Sequence, residues 1–357
     1  MRWHKKSILV LLLVLMSLMP SLSVRSVKAS SPLRDLEPRY RYPTTIYGAA
    51  TSPSNPRPGD VVAVWVDVDS HLIAYAKAMP ESLPTITGRF RGDTVRFVLD
   101  DIAVPTVNAS TGISRYLSLI GLDAHTPAGV YTLTIDVKQI SGEVAHFDQL
   151  VTVVSHARFD EYITLNSSLL NTLDREANTA EATAFSLIYK TYSESEQRAH
   201  TFILPVNGGF AALYGNHRIY NGIDLGTYHS GLDIVSSSGT PVKASASGRV
   251  IAVKSFLVHG LSIVIDHGYG VFTTYSHLSL SKVEENELVT AGQTVGLVGS
   301  SGRSQGPHLH FEIAVGGAAV DPLPWLTEPL PGRHERVDEL KPARSDHMGT
   351  EQLTQFH

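Results

Sequence analysis

The sequence predicts a mainly β protein, with two β-rich domains joined by a helical segment. Three observations predict it. Val62, Val64, Val66 and Val68 recur at period two, and residues 131–137 alternate apolar and polar without a break; that is the pattern of half-buried strands. Gly268-Tyr269-Gly270 separates two apolar runs, 263–267 and 271–275, as a hairpin turn does. Between the two β regions, residues 160–198 lack Pro, are rich in Glu and Ala, and space their apolar residues by three and four, as a helix does.

Taken in order, residues 1–29 read as a secretory signal. Arg2, Lys5 and Lys6 precede an apolar run at 8–19 broken only by Ser17, and Val27-Lys28-Ala29 offers a small-residue cleavage site. The run is short for a membrane span, so a membrane partner is expected only if this segment stays uncleaved. The expected location is extracytoplasmic: secreted, periplasmic or bound to the cell wall. Residues 30–58, rich in Ser, Pro and Arg, form a leader. Residues 59–156 carry several short strands punctuated by turns, which predicts an immunoglobulin-like (Ig-like) β-sandwich. No catalytic cluster falls within it, so it reads as a spacer or binding module. Residues 157–200 are the helical linker, whose stripe of Leu169, Leu173, Ala177, Ala180, Ala184 and Leu187 is expected to pack on a domain interface. Residues 201–327 form a compact antiparallel β domain, and the polar tail 328–357 reads as disordered.

Composition excludes several classes of function. The 357 residues include no cysteine, which rules out a disulfide framework, a thiolate nucleophile and a Cys-ligated zinc. The formal charge is −5, and it becomes more negative without Arg2, Lys5, Lys6, Arg25 and Lys28 of the signal. No nucleic-acid partner is expected of such a chain. Gly299-Ser300-Ser301-Gly302 is not a nucleophile elbow, and no H-E-x-x-H helix is present.

The chemistry concentrates in the last domain. His308 and His310, in Gly306-Pro307-His308-Leu309-His310-Phe311-Glu312, share one face of a strand. His229 and Asp233, in His229-Ser230-Gly231-Leu232-Asp233, also fall on one face of a strand, with Gly231 leaving room between them. His229, Asp233 and His310 together are three N/O ligands, the set of a catalytic metal site with one open position; two imidazoles favour zinc without excluding Mn or Fe. His308, beside His310, and His277, in Tyr275-Ser276-His277-Leu278, could move protons next to the ion or stabilise an oxyanion there.

Residues 202–326 resemble the M23 (lysostaphin- and LytM-like) zinc metallopeptidases. The matching blocks are His229-Ser230-Gly231-Leu232-Asp233, Gly239-Thr240-Pro241-Val242, Gly248-Arg249-Val250, Asp266-His267-Gly268, Tyr275-Ser276-His277-Leu278 and Gly306-Pro307-His308-Leu309-His310-Phe311. The resemblance implies an antiparallel β domain with its site in an open groove, one zinc ion held by His229, Asp233 and His310, and His277 and His308 as the catalytic pair. It leaves open which of the pair is base and which stabiliser. It also implies peptides of bacterial peptidoglycan as substrate, or else a non-catalytic wall-binding or amidase-activating module on the same fold. One departure is Ser304-Gln305-Gly306, where members often read Ser-Thr-Gly. Of the remaining candidates, Glu312 shares the face of His310 and is a candidate supporting residue, Arg218 is a candidate for lining the groove, and His267 reads as a supporting or packing residue rather than a ligand. His217, His259, His334, His347 and His357 have no convergent context and receive no role.

Overall fold

The structure is a computed structural model that describes residues 49–52, 55–69, 85–99, 113–138, 144–190 and 202–327. The expected signal 1–29, most of the leader and the tail 328–357 lie outside the described residues. Among the described residues, no helix is long and apolar enough to cross a membrane.

The first part of the chain forms eight strands: β1 (Ala49–Ser52), β2 (Val61–Asp69), β3 (Thr85–Phe90), β4 (Asp93–Arg96), β5 (Val98–Leu99), β6 (Ile113–Gly121), β7 (Gly129–Lys138) and β8 (Val144–Val153). They make two four-stranded sheets, ordered β1-β2-β6-β5 and β4-β3-β7-β8. The period-two valines of β2 (Val62, Val64, Val66 and Val68) cluster with Ile86, Phe90, Leu133, Ile135 and Val151 of the opposite sheet. The other face of β2 is buried too: Val61, Ala63 and Trp65, with Leu117 and Leu119 of β6, join the core of the C-terminal domain at Val315, Val320 and Trp325. Close approach explains Gly121 at the end of β6, where an added Cβ would lie 2.5 Å from the Val315 carbonyl oxygen.

The linker is less helical than its composition predicts. It opens with a strand, β9 (Asp160–Ile163), that pairs in parallel with His217–Tyr220. A 3-10 turn at Ser167–Leu173 follows, and then α1 (Arg175–Tyr189), whose first turn is capped by the Asp174 carboxylate accepting from the Ala177 amide. The buried face of α1 is Glu181, Phe185 and Tyr189, while Leu187 of the expected stripe is 63% exposed and Ala180 is exposed. A count of apolar residues alone misplaces the face, because Glu181 at its centre is charged and buried.

The C-terminal domain contains β10 (Gly209–Ala212), β11 (His217–Tyr220), β12 (Ile223–Tyr228), β13 (Leu232–Val235), β14 (Pro241–Lys243), β15 (Gly248–Phe256), β16 (Gly260–Asp266), β17 (Val271–Ser281), β18 (Leu288–Val289), β19 (Thr294–Val298), β20 (His308–Val315), β21 (Ala318–Val320) and the short α2 (Leu323–Thr327). The main sheet runs β10-β13-β20-β17-β16-β15-β18, with β14, β19 and β21 attached. β16 and β17 form the predicted hairpin, and Gly268, Tyr269 and Gly270 all take left-handed φ between them. β20 lies between β13 and β17, and it carries the two histidines into the middle of the sheet.

Candidate metal centre

Strand register brings the site together. Asp233 on β13 is directly opposite His310 on β20, and His310 is opposite Ser276 on β17. His229 lies in the loop before β13, three residues ahead of its first residue Leu232 and so outside the strand expected for it. Its backbone is fixed there by hydrogen bonds from its amide to the Asn216 carbonyl and from the Gly215 amide to its own carbonyl, both 2.8 Å. Gly231 between the two side chains is obligatory for a reason besides space: a Cβ there would stand 2.3 Å from the Phe311 carbonyl oxygen. The glycine lets the loop press against β20.

His229 Nε2, Asp233 Oδ1 and His310 Nδ1 form a triangle with edges of 3.0, 2.8 and 3.1 Å. A zinc ion with tetrahedral N/O ligands near 2.0–2.1 Å has ligand–ligand edges of about 3.3 Å. The far side of each ring sets its tautomer. His229 Nδ1 is 2.7 Å from the Leu213 carbonyl oxygen, and His310 Nε2 is 2.9 Å from a Glu312 carboxylate oxygen. Carbonyl and carboxylate oxygens only accept, so those two nitrogens carry the protons. With both rings neutral, the triangle is three lone pairs turned toward one another, which a shared proton or a metal cation relieves. The residues therefore fit a metal ion such as zinc, which His229, Asp233 and His310 would hold.

Asp233 is fixed from behind. Its Oδ2 accepts from Arg218 Nη2 at 2.8 Å, and Arg218 Nε reaches Glu161 at 3.1 Å. This leaves Oδ1 for the histidines. Burial alone would raise the Asp233 pKa, but hydrogen bonds with His229 and His310 hold it well below the usual carboxylate range. Burial, with the charge of Arg218, pushes His229 down to about 4. Burial opposes charge on His310 as well, yet its bonds to Asp233 and Glu312 raise its pKa. Positive charge is drawn to the middle of this cluster.

The other two histidines flank the triangle. The ring of His277 is 4.7 Å from that of His308 and 5.9 Å from that of His310. His277 Nδ1 meets the Ser301 carbonyl at 2.7 Å and His308 Nδ1 the Gly306 carbonyl at 2.8 Å, so both present a free Nε2 lone pair. His277 takes φ +59 inside β17, where the register shifts. A left-handed non-glycine residue in a strand is a local strain, and it sits at a predicted site residue. Burial lowers the pKa of both rings.

One expectation needs correction. His259, which received no role, converges on the site: Nδ1 is 2.5 Å from Glu181, Nε2 is 3.2 Å from Glu312, and its ring is 5.4 Å from that of His310. Burial opposes its charge, but the two carboxylates raise its pKa to about 9. Beside the triangle lies a cleft of about 290 Å³ with α1 along one wall, lined by Phe185, Tyr189, Arg218, His229, His277 and His310. His267 packs, as expected, between the Ser247 carbonyl and the Thr273 hydroxyl. His217 pairs with Asp160 and Asp224 in the small β12-β11-β9 sheet. His334, His347 and His357 lie outside the described residues. Sequence reading missed Glu181 and Tyr189 altogether. Their one signal is that they share the face of Phe185 at i−4 and i+4.

A profile of peptidase family M23 matches residues 227–322, the segment that holds every ligand of the triangle. Residues 227–322 form an M23 peptidase domain. Relatives of this domain include the DD-carboxypeptidase/endopeptidase Mpg of Neisseria meningitidis, 44% identical over 96 residues, which are 27% of this chain and 22% of Mpg. The peptidoglycan DD-endopeptidase ShyA of Vibrio cholerae is 29% identical over 210 residues, 57% of this chain and 48% of ShyA. The murein hydrolase activator EnvC of Escherichia coli is 38% identical over 141 residues, 40% of this chain and 32% of EnvC. The chain thus spans from about a fifth to a half of the length of these relatives. An M23 peptidase structure from Pseudomonas aeruginosa covers 76% of this chain and 94% of its own, with a TM-score of 0.52 at 23% identity, and it shares the fold. The relatives that share this domain thus include both peptidoglycan endopeptidases and a murein hydrolase activator.

Proposed function

We propose that the protein is a zinc-dependent endopeptidase that hydrolyses peptide bonds of bacterial peptidoglycan outside the cytoplasm, and that residues 1–29 are its export signal. The observation that carries the reading is the triangle of unprotonated His229, Asp233 and His310 atoms beside two imidazoles with free Nε2 lone pairs. Zinc in such a site supplies Lewis acidity toward a peptide carbonyl and makes water a nucleophile near neutral pH. The chain supplies the proton handling. His308 Nε2 is 3.8 Å from Asp233 Oδ1, so the carboxylate steadies the imidazolium that forms when His308 takes a proton. Burial, with the nearby imidazoles of His310, His308 and His259, disfavours protonation of His277. It stays neutral, and its Nε2 accepts a hydrogen bond that orients water.

The kinship to EnvC carries a second reading, a non-catalytic activator of another wall hydrolase. The complete set of five residues favours the catalyst. Digestion of purified peptidoglycan separates the two readings. Muropeptide release that a chelator abolishes and zinc restores is expected. Release that ignores the chelator, or its absence from every wall type, overturns the proposal.

We also read the sandwich as an Ig-like module, one that begins with β1 (Ala49–Ser52) inside the expected leader and so before residue 59. The orders β1-β2-β6-β5 and β4-β3-β7-β8 support this, since they correspond to the ABED and CFG sheets of that sandwich with one strand added.

A further inference from the structure

Beyond the five expected residues, a continuous chain of polar contacts runs from α1 to a metal ligand. Glu181 clamps the turn at 258–259 with both carboxylate oxygens: Oε2 accepts from the Val258 amide at 2.8 Å, and Oε1 accepts from the His259 amide at 2.9 Å and from its Nδ1 at 2.5 Å. With Nδ1 donating to Glu181, the opposite His259 nitrogen lies 3.2 Å from Glu312 Oε1. That same oxygen is 2.9 Å from His310 Nε2. The second oxygen of Glu312 accepts from the Tyr189 hydroxyl at 2.9 Å, and the Ser230 hydroxyl donates to Oε1. Tyr189 in turn is 2.7 Å from the Thr274 hydroxyl. Glu181, Tyr189 and Glu312 are all buried. Glu181 and Tyr189 lie outside residues 227–322, in the helix that precedes the M23 domain.

We propose that α1 belongs to the metal centre: Glu181, acting through His259 and Glu312, and Tyr189, acting on Glu312, are positioning residues that hold His310 in the tautomer and orientation that present Nδ1 to the ion. The inference rests on the reading of His310 as a zinc ligand. Its physical basis is that a ligating imidazole needs its other N–H engaged by a fixed acceptor, and that a buried carboxylate is fixed only when its own oxygens are satisfied. Glu312 alone is a flexible side chain with three rotatable bonds and several rotamers. Donors from His259, Tyr189, Ser230 and His310 leave it one.

The test is Co(II) titration of the full-length protein, followed by the visible absorption of the bound ion. Wild type is expected to bind one Co(II), and His310→Ala to bind none. Glu181→Gln and Tyr189→Phe are expected to bind about tenfold more weakly, with a shifted or weakened Co(II) band at saturation, which a general loss of stability would not produce. Leu187→Ala, on the exposed face of the same helix, should match wild type. If wild type binds Co(II) and both positioning variants bind it as tightly and with the same spectrum, this inference fails while the zinc reading stands. If wild type binds no Co(II), the zinc reading itself fails. Should Glu181→Gln not fold, Tyr189→Phe removes only one hydroxyl and decides the matter alone.

Discussion

His308 and His310 are two residues apart on one strand face, yet their surroundings assign them opposite tasks. His310 points Nδ1 into the triangle and is held behind by Glu312; His308 is anchored to the Gly306 carbonyl and stands 3.8 Å from Asp233. His310→Ala should therefore lose the metal, measured by zinc content after dialysis, whereas His308→Ala should keep the metal and lose turnover by a factor of about 10²–10⁴, the usual contribution of a general base. A second prediction concerns His267, buried and held neutral by that burial with a pKa of about 4. The unfolded chain binds this proton near pH 6.5 and the folded one does not, so stability is complete above 6.5 and falls as the pH drops toward 4. The loss is about 3 kcal/mol across that window. Urea unfolding at several pH values should show this slope, and His267→Gln should flatten it.

At the scale of elements, the site depends on close contact between the loop carrying His229 and strand β20. Gly231→Ala puts a methyl group against the Phe311 carbonyl and should cost about 1–3 kcal/mol by overpacking, while weakening zinc binding through the displaced His229. Calorimetric melting and a zinc titration check both. What the sequence disclosed at this scale follows from contiguity. The five site residues sit in short blocks whose spacing has meaning on a strand, and the hairpin around Gly268-Tyr269-Gly270 declares itself through its glycines. The supporting residues have no such grammar. Glu181, His259 and Glu312 are separated by long stretches of chain and meet only when α1 lies on the sheet. The same packing misled the reading of α1, because a buried carboxylate at position 181 breaks the apolar stripe that periodicity seeks. The linker strand β9 was equally hidden, since a four-residue parallel pairing leaves little periodicity to detect.

At the scale of the molecule, β2 has no face toward water. One side belongs to the sandwich core and the other to the core of the M23 domain, so the two parts share their hydrophobic stabilisation. Thermal unfolding should follow a single cooperative transition by both near-UV and far-UV signals, and Gly121→Val, a clash with Val315 at the junction, should lower that one midpoint rather than split it. A mechanical consequence follows. A pull applied to the sandwich is carried into the sheet of the M23 domain through packed side chains at the junction. β2 itself is tied to β6 by an unbroken antiparallel ladder from Val61↔Gly121 to Asp69↔Ile113. Extended in an atomic-force experiment, the described parts should rupture in one event, so tension on the sandwich would be felt at the histidines before either half gives way.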